Sequence, residues 1–318
     1  MKKVILAAPR GYCAGVDRAV KIVERALETL GAPVYVRKEI VHNRHVVGEL
    51  EQRGAIFVDS ETEIPEGAVC IFSAHGVSPE VRRQAEARRL KVIDATCPLV
   101  TKVHLEAKRF ARAGRKIVLV GHVGHEEIEG TAGEAPESTL VIENVDQIAE
   151  LGLDSSEPVS YLTQTTLSVD DTLDVVEALR GQFEDIRGPR SDDICYATQN
   201  RQVAVKAIAP DADVVLIVGA VNSSNSNRLV EVAEVAGTPA FLVPDESHLD
   251  PKWLEGVEVV GVSSGASAPE VLVDRLLERL ASLGYETLET KEVTTEDVTF
   301  SLPPWLREEA AGAVPAPD

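Results

Sequence analysis

The stretch Val92-Ile93-Asp94-Ala95-Thr96-Cys97 is a short β-branched run that ends on a cysteine and passes through Pro98 into a helical pattern reaching about residue 113. A strand that stops in a polar loop and hands over to a helix is the building unit of parallel α/β sheets. The same unit recurs on either side. Ile5-Leu6-Ala7-Ala8 runs into Cys13 and a helix over 15–30, and Ile194 leads into Cys195 and a helix over 199–209. Two further strand-to-helix units follow each of these. The second units end in His42-Asn43-Arg44-His45, in Gly121-His122-Val123-Gly124-His125 and in the polar tract 222–227. The last units end in Ser73-Ala74-His75-Gly76, in Thr163-Gln164-Thr165-Thr166 and in Ser263-Ser264-Gly265-Ala266-Ser267.

The cysteines are spaced 84 and 98 residues apart, close to one period, while side-chain identity between the thirds is weak. The repeat is therefore architectural. It predicts an α/β fold of three related domains with mainly parallel sheets, over 1–96, 97–193 and 194–284, with a C-terminal extension over 285–318. The first strand is free to join the third domain instead of the first. Within the extension, 293–300 is expected to pair as an extra strand and 310–318 to fray. Open α/β sheets bind ligands beyond the carboxyl ends of their strands. All nine loops lie at such ends, so three domains facing one axis would gather three thiols and a ring of His, Ser, Thr and Asn.

Composition narrows the function. The chain has 318 residues, 44% of them hydrophobic, and no run of about 18 apolar residues that could span a membrane. The apolar run after Lys3 is too short for a signal-peptide core, so a cytoplasmic location is expected. A net charge of −20 argues against nucleic acid, because phosphate repulsion would dominate. The charge is uneven: from Arg82 to Lys116 there are eleven Lys or Arg against three Asp or Glu, a local excess of +8. That run reads either as two solvated helix faces or as a docking face for an acidic protein partner. Four scattered cysteines in a chain of this kind are not a disulfide framework. Cys70 lies inside an apolar strand pattern and reads as inert core.

Each of the other three cysteines stands at a helix start, where the dipole and free N–H groups favour a thiolate. Three thiolates suit zinc or an iron–sulfur cluster and leave a coordination position open. The 222–227 tract of amides and hydroxyls entering a helix suits a phosphate, or else is an ordinary capped loop. His42 and His75 sit at strand ends, where they could donate to phosphate oxygens. His125, beside Glu126, Glu127 and Glu129, suits proton delivery. His45, His104, His122 and His248 have no comparable slot and read as structural. The residues alone leave three functions open: a reductase, a Cys₃ zinc hydrolase with Glu127 as base, and a non-catalytic iron–sulfur sensor of a phosphometabolite.

Further motifs narrow the choice. Arg10-Gly11-Tyr12-Cys13-Ala14-Gly15-Val16, Val41-His42-Asn43-Arg44, Phe72-Ser73-Ala74-His75-Gly76-Val77 and Asp94-Ala95-Thr96-Cys97-Pro98 belong to one set. Thr163-Gln164-Thr165-Thr166-Leu167-Ser168, Asp193-Ile194-Cys195-Tyr196, residues 222–228 and Gly265-Ala266-Ser267-Ala268-Pro269 complete it. Together they resemble the 4-hydroxy-3-methylbut-2-enyl diphosphate reductases, which carry out the last step of the methylerythritol phosphate route to isoprenoids. The resemblance runs from the first strand to about Leu283. It implies a trefoil of three pseudo-threefold-related α/β domains around a central [4Fe–4S] cluster held by Cys13, Cys97 and Cys195, with the fourth iron open to substrate. It implies that His42, His75, His125, Ser223, Asn225 and Ser267 hold the diphosphate, with Ser224 contributing, and that Thr165 lies near the substrate hydroxyl. Glu127 falls on the proton-delivering carboxylate, while Glu126 adds charge outside the motif position. The reaction implied is a two-electron reductive dehydroxylation giving isopentenyl and dimethylallyl diphosphate, with ferredoxin or flavodoxin as electron donor.

Overall fold

A computed structural model of the chain describes residues 2–306. The expected fraying of 310–318 lies outside them. Strand β1 (Lys3–Ala8) is followed by α1 (Ala14–Leu30), β2 (Val34–Arg37), α2 (Arg44–Gln52), β3 (Ala55–Val58), β4 (Val69–Phe72), α3 (Pro79–Ala87) and β5 (Lys91–Asp94). The chain continues through α4 (Pro98–Arg112), β6 (Lys116–Val120), α5 (Glu126–Gly133), β7 (Thr139–Ile142), β8 (Val159–Thr163), α6 (Val169–Gln182) and β9 (Ile186–Arg187). Its last part holds α7 (Tyr196–Ile208), β10 (Val214–Val218), α8 (Ser224–Val235), β11 (Ala240–Val243), β12 (Val259–Ser264), α9 (Glu270–Ser282) and β13 (Thr287–Glu292).

The strands form three sheets, ordered β3-β2-β4-β5, β7-β6-β8-β9 and β11-β10-β12-β1-β13. Every pairing is parallel. This is the three-domain α/β architecture that the periodicity predicts. Strand β10, Val-Val-Leu-Ile-Val, is buried along its whole length, as expected of a parallel strand covered on both faces. Helix α1 buries Ala19, Ile22, Val23 and Ala26, one stripe at helical spacing.

One feature of the repeat differs from its reading in sequence. There the cysteine strand opens each turn of the repeat, although the bounds 1–96 and 97–193 keep residues 92–96 with the first domain and leave the first strand free to join the third. In the structure it completes the preceding sheet: β5 lies beside β4, β9 beside β8, and β1 beside β12. Before Cys195 that strand is Ile186–Arg187, earlier than the Ile194 read from the sequence, which is not in a strand. The helix after the cysteine packs on the next sheet, α1 against β2, α4 against β6 and β8, and α7 against β12. Each cysteine therefore marks the point where the chain leaves one sheet for the next, and β1 closes the ring by joining the last sheet. Periodicity cannot reveal this, because a buried strand looks the same whichever sheet it joins.

The extra strand also falls earlier than expected. It is β13, over Thr287–Glu292, paired with β1, and residues 293–300 are not in a strand. The Val293 N–H donates to Ala8 O, at the end of β1. Beyond it the partner strand is spent, so β-branched Thr294 and Thr295 have no ladder to extend. β13 is mostly exposed and alternates Thr, Glu and Lys, a composition that discourages edge-to-edge pairing.

Past β13 the chain returns to the first domain. Leu302, Trp305 and Leu306 pack on the core that α1 covers. The Arg18 Nε donates to Ser301 O at 3.0 Å, and its other nitrogen reaches Ala95 O and Thr96 O, just before Cys97. Arg201 on α7 has no exposed surface. It donates to Gly11 O, Tyr12 O and Ala197 O and pairs with Glu296 at 3.0 Å. One buried guanidinium thus ties the Cys13 loop and the C-terminal segment to the Cys195 helix. Removing one partner of a buried ion pair costs about 3–5 kcal/mol, because the other groups stay desolvated. Arg201→Met should lower unfolding free energy by about 3 kcal/mol or more in urea titrations. A loss under about 1 kcal/mol would show that Arg201 is not the fastening described.

Candidate active site

Cys13, Cys97 and Cys195 are the N-cap residues of α1, α4 and α7. Each is pinned in the same way. Its backbone N–H donates to a carbonyl in the last loop of the preceding sheet: Cys13 to Ala266 O at 3.2 Å, Cys97 to Ala74 O at 3.0 Å, and Cys195 to Thr165 O at 3.1 Å. The Cys13 Sγ accepts from Val16 N–H, and the Cys195 Sγ from Thr198 N–H, both at 3.4 Å. A Cβ on Gly15 would lie 2.7 Å from Cys97 Sγ and 3.8 Å from Cys13 Sγ, so only a glycine lets the first turn of α1 come this close to both. All four cysteines are free thiols, and Cys70 is fully buried in β4 away from the others. Burial pushes the Cys97 thiol up to about 12 and the Cys195 thiol up to about 11, and the neighbouring thiols add to both shifts. Among the described residues, no three His, Cys, Asp or Glu side chains form a group that could hold a single metal ion.

The three thiols open onto one cavity of about 100 Å³. Its wall includes His42, His75, His125, Glu127, Thr165, Ser223, Ser224, Asn225 and Ser267, so all twelve residues singled out in the sequence meet there. His42 and His75 stack with ring centroids 4.2 Å apart, and His125 stands edge-on to both at 5.5 and 5.7 Å. Ser223 caps α8 by accepting from Ser226 N–H. Asn225 accepts from Ala266 N–H at 2.8 Å, Ser267 donates to His42 O at 3.0 Å, and Thr166 donates to Ser224 Oγ at 3.0 Å. The last two of these bonds run between domains, Ser267 to the first and Thr166 to the third, so this part of the cavity wall is also a domain interface.

Glu127 is 3% exposed. Its carboxylate accepts from the Thr165 N–H at 2.7 Å and the Thr165 hydroxyl at 2.9 Å. Burial raises the carboxyl to about 7, against the pull of those two bonds. His125 caps α5, its Nδ1 accepting from Glu127 N–H at 3.1 Å. Burial, with His75 and His42 nearby, lowers its imidazolium to about 3. A neutral ring cap beside a carboxyl able to hold a proton near neutral pH suits acid catalysis.

Several participants were not legible in the sequence. Glu39 lies 3.1 Å from His42 Nδ1 and accepts from Asn222 Nδ2 at 2.8 Å, joining the first and third domains. Glu126 lies 3.2 Å from His75 Nδ1, and Ser73 bridges the two. The i,i+3 spacing of Glu39 and His42 was a signal available beforehand; nothing in the sequence connects Glu126 to a residue 51 positions earlier. Of the histidines read as structural, His104 is buried against Glu134 at 3.0 Å and fills the space beside Gly76 and Gly130. His45, His122 and His248 pair with nearby carboxylates, and none of these four lines the cavity.

Residues 4–281 match the family model described as LytB protein. A 4-hydroxy-3-methylbut-2-enyl diphosphate reductase of Corynebacterium diphtheriae is 61% identical over 312 residues, covering 96% of this chain and 92% of that protein. One of Nocardia farcinica is 59% identical over 307 residues, covering 96% and 91%. The solved E-1-hydroxy-2-methyl-but-2-enyl-4-diphosphate reductase from Plasmodium falciparum superposes with a TM-score of 0.93 at 38% identity, covering 96% of each chain.

The Glu127–Thr165 pair provides a test of the cavity's electrostatics. Hydrogen bonds to a carboxylate stabilise its charged form, so losing one raises the pKa. Thr165→Val keeps the backbone donor and deletes the hydroxyl. The titration of the Glu127 carboxyl, followed by its infrared C=O band against a Glu127→Gln reference, should then move above about 7. A downward move or none would mean that the hydroxyl does not hold this carboxylate.

Proposed function

We propose that this chain, which belongs to the LytB family, is a reductase that converts 4-hydroxy-3-methylbut-2-enyl diphosphate to isopentenyl and dimethylallyl diphosphate. The single observation that carries the reading is one cavity in which three interdomain thiols face a proton-holding Glu127–Thr165 pair and a ring of His, Ser and Asn. The overall change is loss of the allylic hydroxyl as water, with uptake of two electrons and two protons.

Cys13, Cys97 and Cys195 suit a [4Fe–4S] cluster by donor type and setting. They are three soft thiols, each at a helix N-terminus that favours thiolate, around a cavity where Gly15 keeps the first turn of α1 out of the way. Without a cation, burial and mutual repulsion disfavour the thiolates of Cys97 and Cys195, so bound metal would relieve that cost. When bound, the cluster supplies one-electron transfers and a Lewis-acidic iron for the hydroxyl. The chain's own groups do the rest. His42, His75, His125, Ser223, Ser224, Asn225 and Ser267 hold the diphosphate. Thr165 orients the hydroxyl, and Glu127 delivers a proton, with Thr165 Oγ1 hydrogen-bonded to Glu127 Oε2 along the way.

A ferredoxin or flavodoxin is the fitting class of donor. The basic run from Arg82 to Lys116 supports a docking role less than its count suggests. Arg115 is buried and bound to Ser160 and Asp185, while Arg82, Lys102, Lys108 and Arg109 pair with Asp94, Asp193, Glu134 and Glu106. Arg89, Lys91 and Arg112 are exposed and have no ion-pair partner among the described residues, so they are the better candidate contacts. No helix among the described residues is long and apolar enough to cross a membrane. Four free cysteines support a reducing compartment, the cytoplasm.

Two experiments test the reading. Protein purified without oxygen should carry iron and sulfide and lose most of both in Cys13→Ser, Cys97→Ser and Cys195→Ser, but not in Cys70→Ser. Stoichiometric zinc without sulfide would instead favour a hydrolase, and a cluster without turnover under reductant a sensor. In Glu127→Gln the cluster content and ligand affinity should persist while kcat falls by about 10²–10⁴-fold, the usual worth of general acid catalysis. KM should change little by comparison, the pattern of a group used only in the transition state. A near-normal kcat would place the acid elsewhere.

A further inference from the structure

The three histidines of the cavity are not equivalent, and their hydrogen bonds say how. His125 accepts a backbone N–H at Nδ1, so its neutral ring carries its proton on Nε2 and can donate to an anion as it stands. His42 and His75 are wired the opposite way. The His42 Nδ1 faces Glu39 Oε2 at 3.1 Å; the Asn222 amide also lies 3.4 Å from this nitrogen but makes its shorter bond, 2.8 Å, to the same Glu39 oxygen, so Nδ1 carries the proton. The His75 Nδ1 lies 3.2 Å from both Glu126 Oε2 and Ser73 Oγ, and the Ser73 hydroxyl spends its one proton on Glu126. Nδ1 is again the donor. Each ring then has Nε2 left for the cavity, and in the neutral form that nitrogen is a bare acceptor. It cannot donate to a phosphate oxygen until a second proton arrives.

The cavity gives a reason for that proton to arrive. Among the described residues its wall holds no Lys or Arg, so a diphosphate would meet no permanent cation there. Two carboxylates stand beside the stacked rings, each bonded by a group from another domain: Glu39 by Asn222 of the third, and Glu126 by Ser73 of the first. Unprotonated, this arrangement repels an anion; protonated, it is a carboxylate–imidazolium–phosphate sandwich. We propose that diphosphate binding is coupled to proton uptake by the stacked His42–His75 pair, with Glu39 and Glu126 as the positioning residues that set the tautomer and stabilise the imidazolium. The proposal rests on the diphosphate reading given above.

The other titratable groups around the pair fit this assignment. Burial and the neighbouring His42 hold the His75 imidazolium below its ordinary range, so the ring is neutral before ligand arrives. The bond from His42 holds the Glu39 carboxyl below the usual carboxylate range. For Glu126, burial pushes upward, but pairing with His75 and the nearness of His42 and His125 outweigh it, so its carboxyl is also lowered. Both carboxylates are therefore charged at neutral pH. Glu127 and His125 stand at the start of α5, with His122 near His125, and Cys13, Cys97, Cys195 and Tyr196 line the same cavity.

Calorimetry on the anaerobic holoenzyme tests this without turnover. The ligand is isopentenyl diphosphate, whose terminal phosphate is ionised above about pH 7. Titrations in two buffers of different ionisation enthalpy at pH 7–9 count the protons taken up. The wild-type protein should take up about one or more per ligand near pH 7. Its Kd should rise toward tenfold per pH unit as that uptake becomes harder. Glu39→Gln and Glu126→Gln should each reduce the uptake and weaken binding at pH 7 by about tenfold or more. The loss should narrow toward pH 9, where neither protein gains the proton. Ligand binding with no proton uptake by the wild type overturns the coupling, and does so whether or not the variants fold. Tighter binding in the variants, expected if the carboxylates merely repel the anion, overturns it too, as does a pH-independent loss with unchanged uptake. No binding by the wild-type holoenzyme would sink the diphosphate reading itself.

Discussion

The crossing of the chain from sheet to sheet at each cysteine is the constraint on which the rest of the structure depends. Each cysteine N–H is spent on a carbonyl of the sheet being left, while the helix it caps packs on the sheet being entered. A residue held from both sides in this way has little freedom to move away from the common axis. Because the pattern occurs three times and β1 closes the ring against β12, three side chains distant in sequence are delivered to one place. Loops elsewhere on the sheets could vary in length without disturbing that arrangement.

The same economy governs the polar side of the cavity. The groups proposed to hold a diphosphate also bind the domains to one another: Ser267 reaches His42 O, Thr166 reaches Ser224, Asn222 reaches Glu39, and Glu126 faces His75. Buried polar networks are costly unless every member is satisfied. Here several partners are supplied across domain boundaries, so the cavity takes its shape only when all three domains are assembled. The proposed acid and the proposed anion site are kept apart by wiring. Glu127 is engaged by Thr165, whereas Glu126, its neighbour in sequence, points to a histidine of another domain.

The C-terminal segment adds a fastening that the threefold pattern does not require. Arg201 gathers the Gly11 and Tyr12 carbonyls and Glu296 around one fully buried guanidinium. Arg18 joins Ser301 to the carbonyls that precede Cys97. The segment is therefore linked through Arg201 and Arg18 to the approaches to Cys13 and Cys97, and Glu296 bonds the helix that Cys195 caps. A departure from the repeat at the chain's end serves the centre of the fold.

Much of this was legible in the sequence. Strand-to-helix alternation dictated parallel sheets, because buried β-branched runs and amphipathic helices have few other ways to cover each other. The loop order picked out Cys13, Cys97 and Cys195, and the motifs picked out His42, His75, His125, Glu127 and the Ser/Asn tract. These signals are local: each depends on residues within one loop and the strand or helix beside it. The rest depended on which elements meet. Only the tertiary structure decided that the cysteine strands complete the preceding sheets, that the last strand is Thr287–Glu292 and not 293–300, and that Arg115 is a buried anchor and not part of a basic surface. Only it decided that Glu39 and Glu126 face His42 and His75, and so which ring nitrogens carry protons. Side-chain chemistry is written in the residue, but a tautomer is fixed by the partner across the gap, and that partner is chosen by packing between domains.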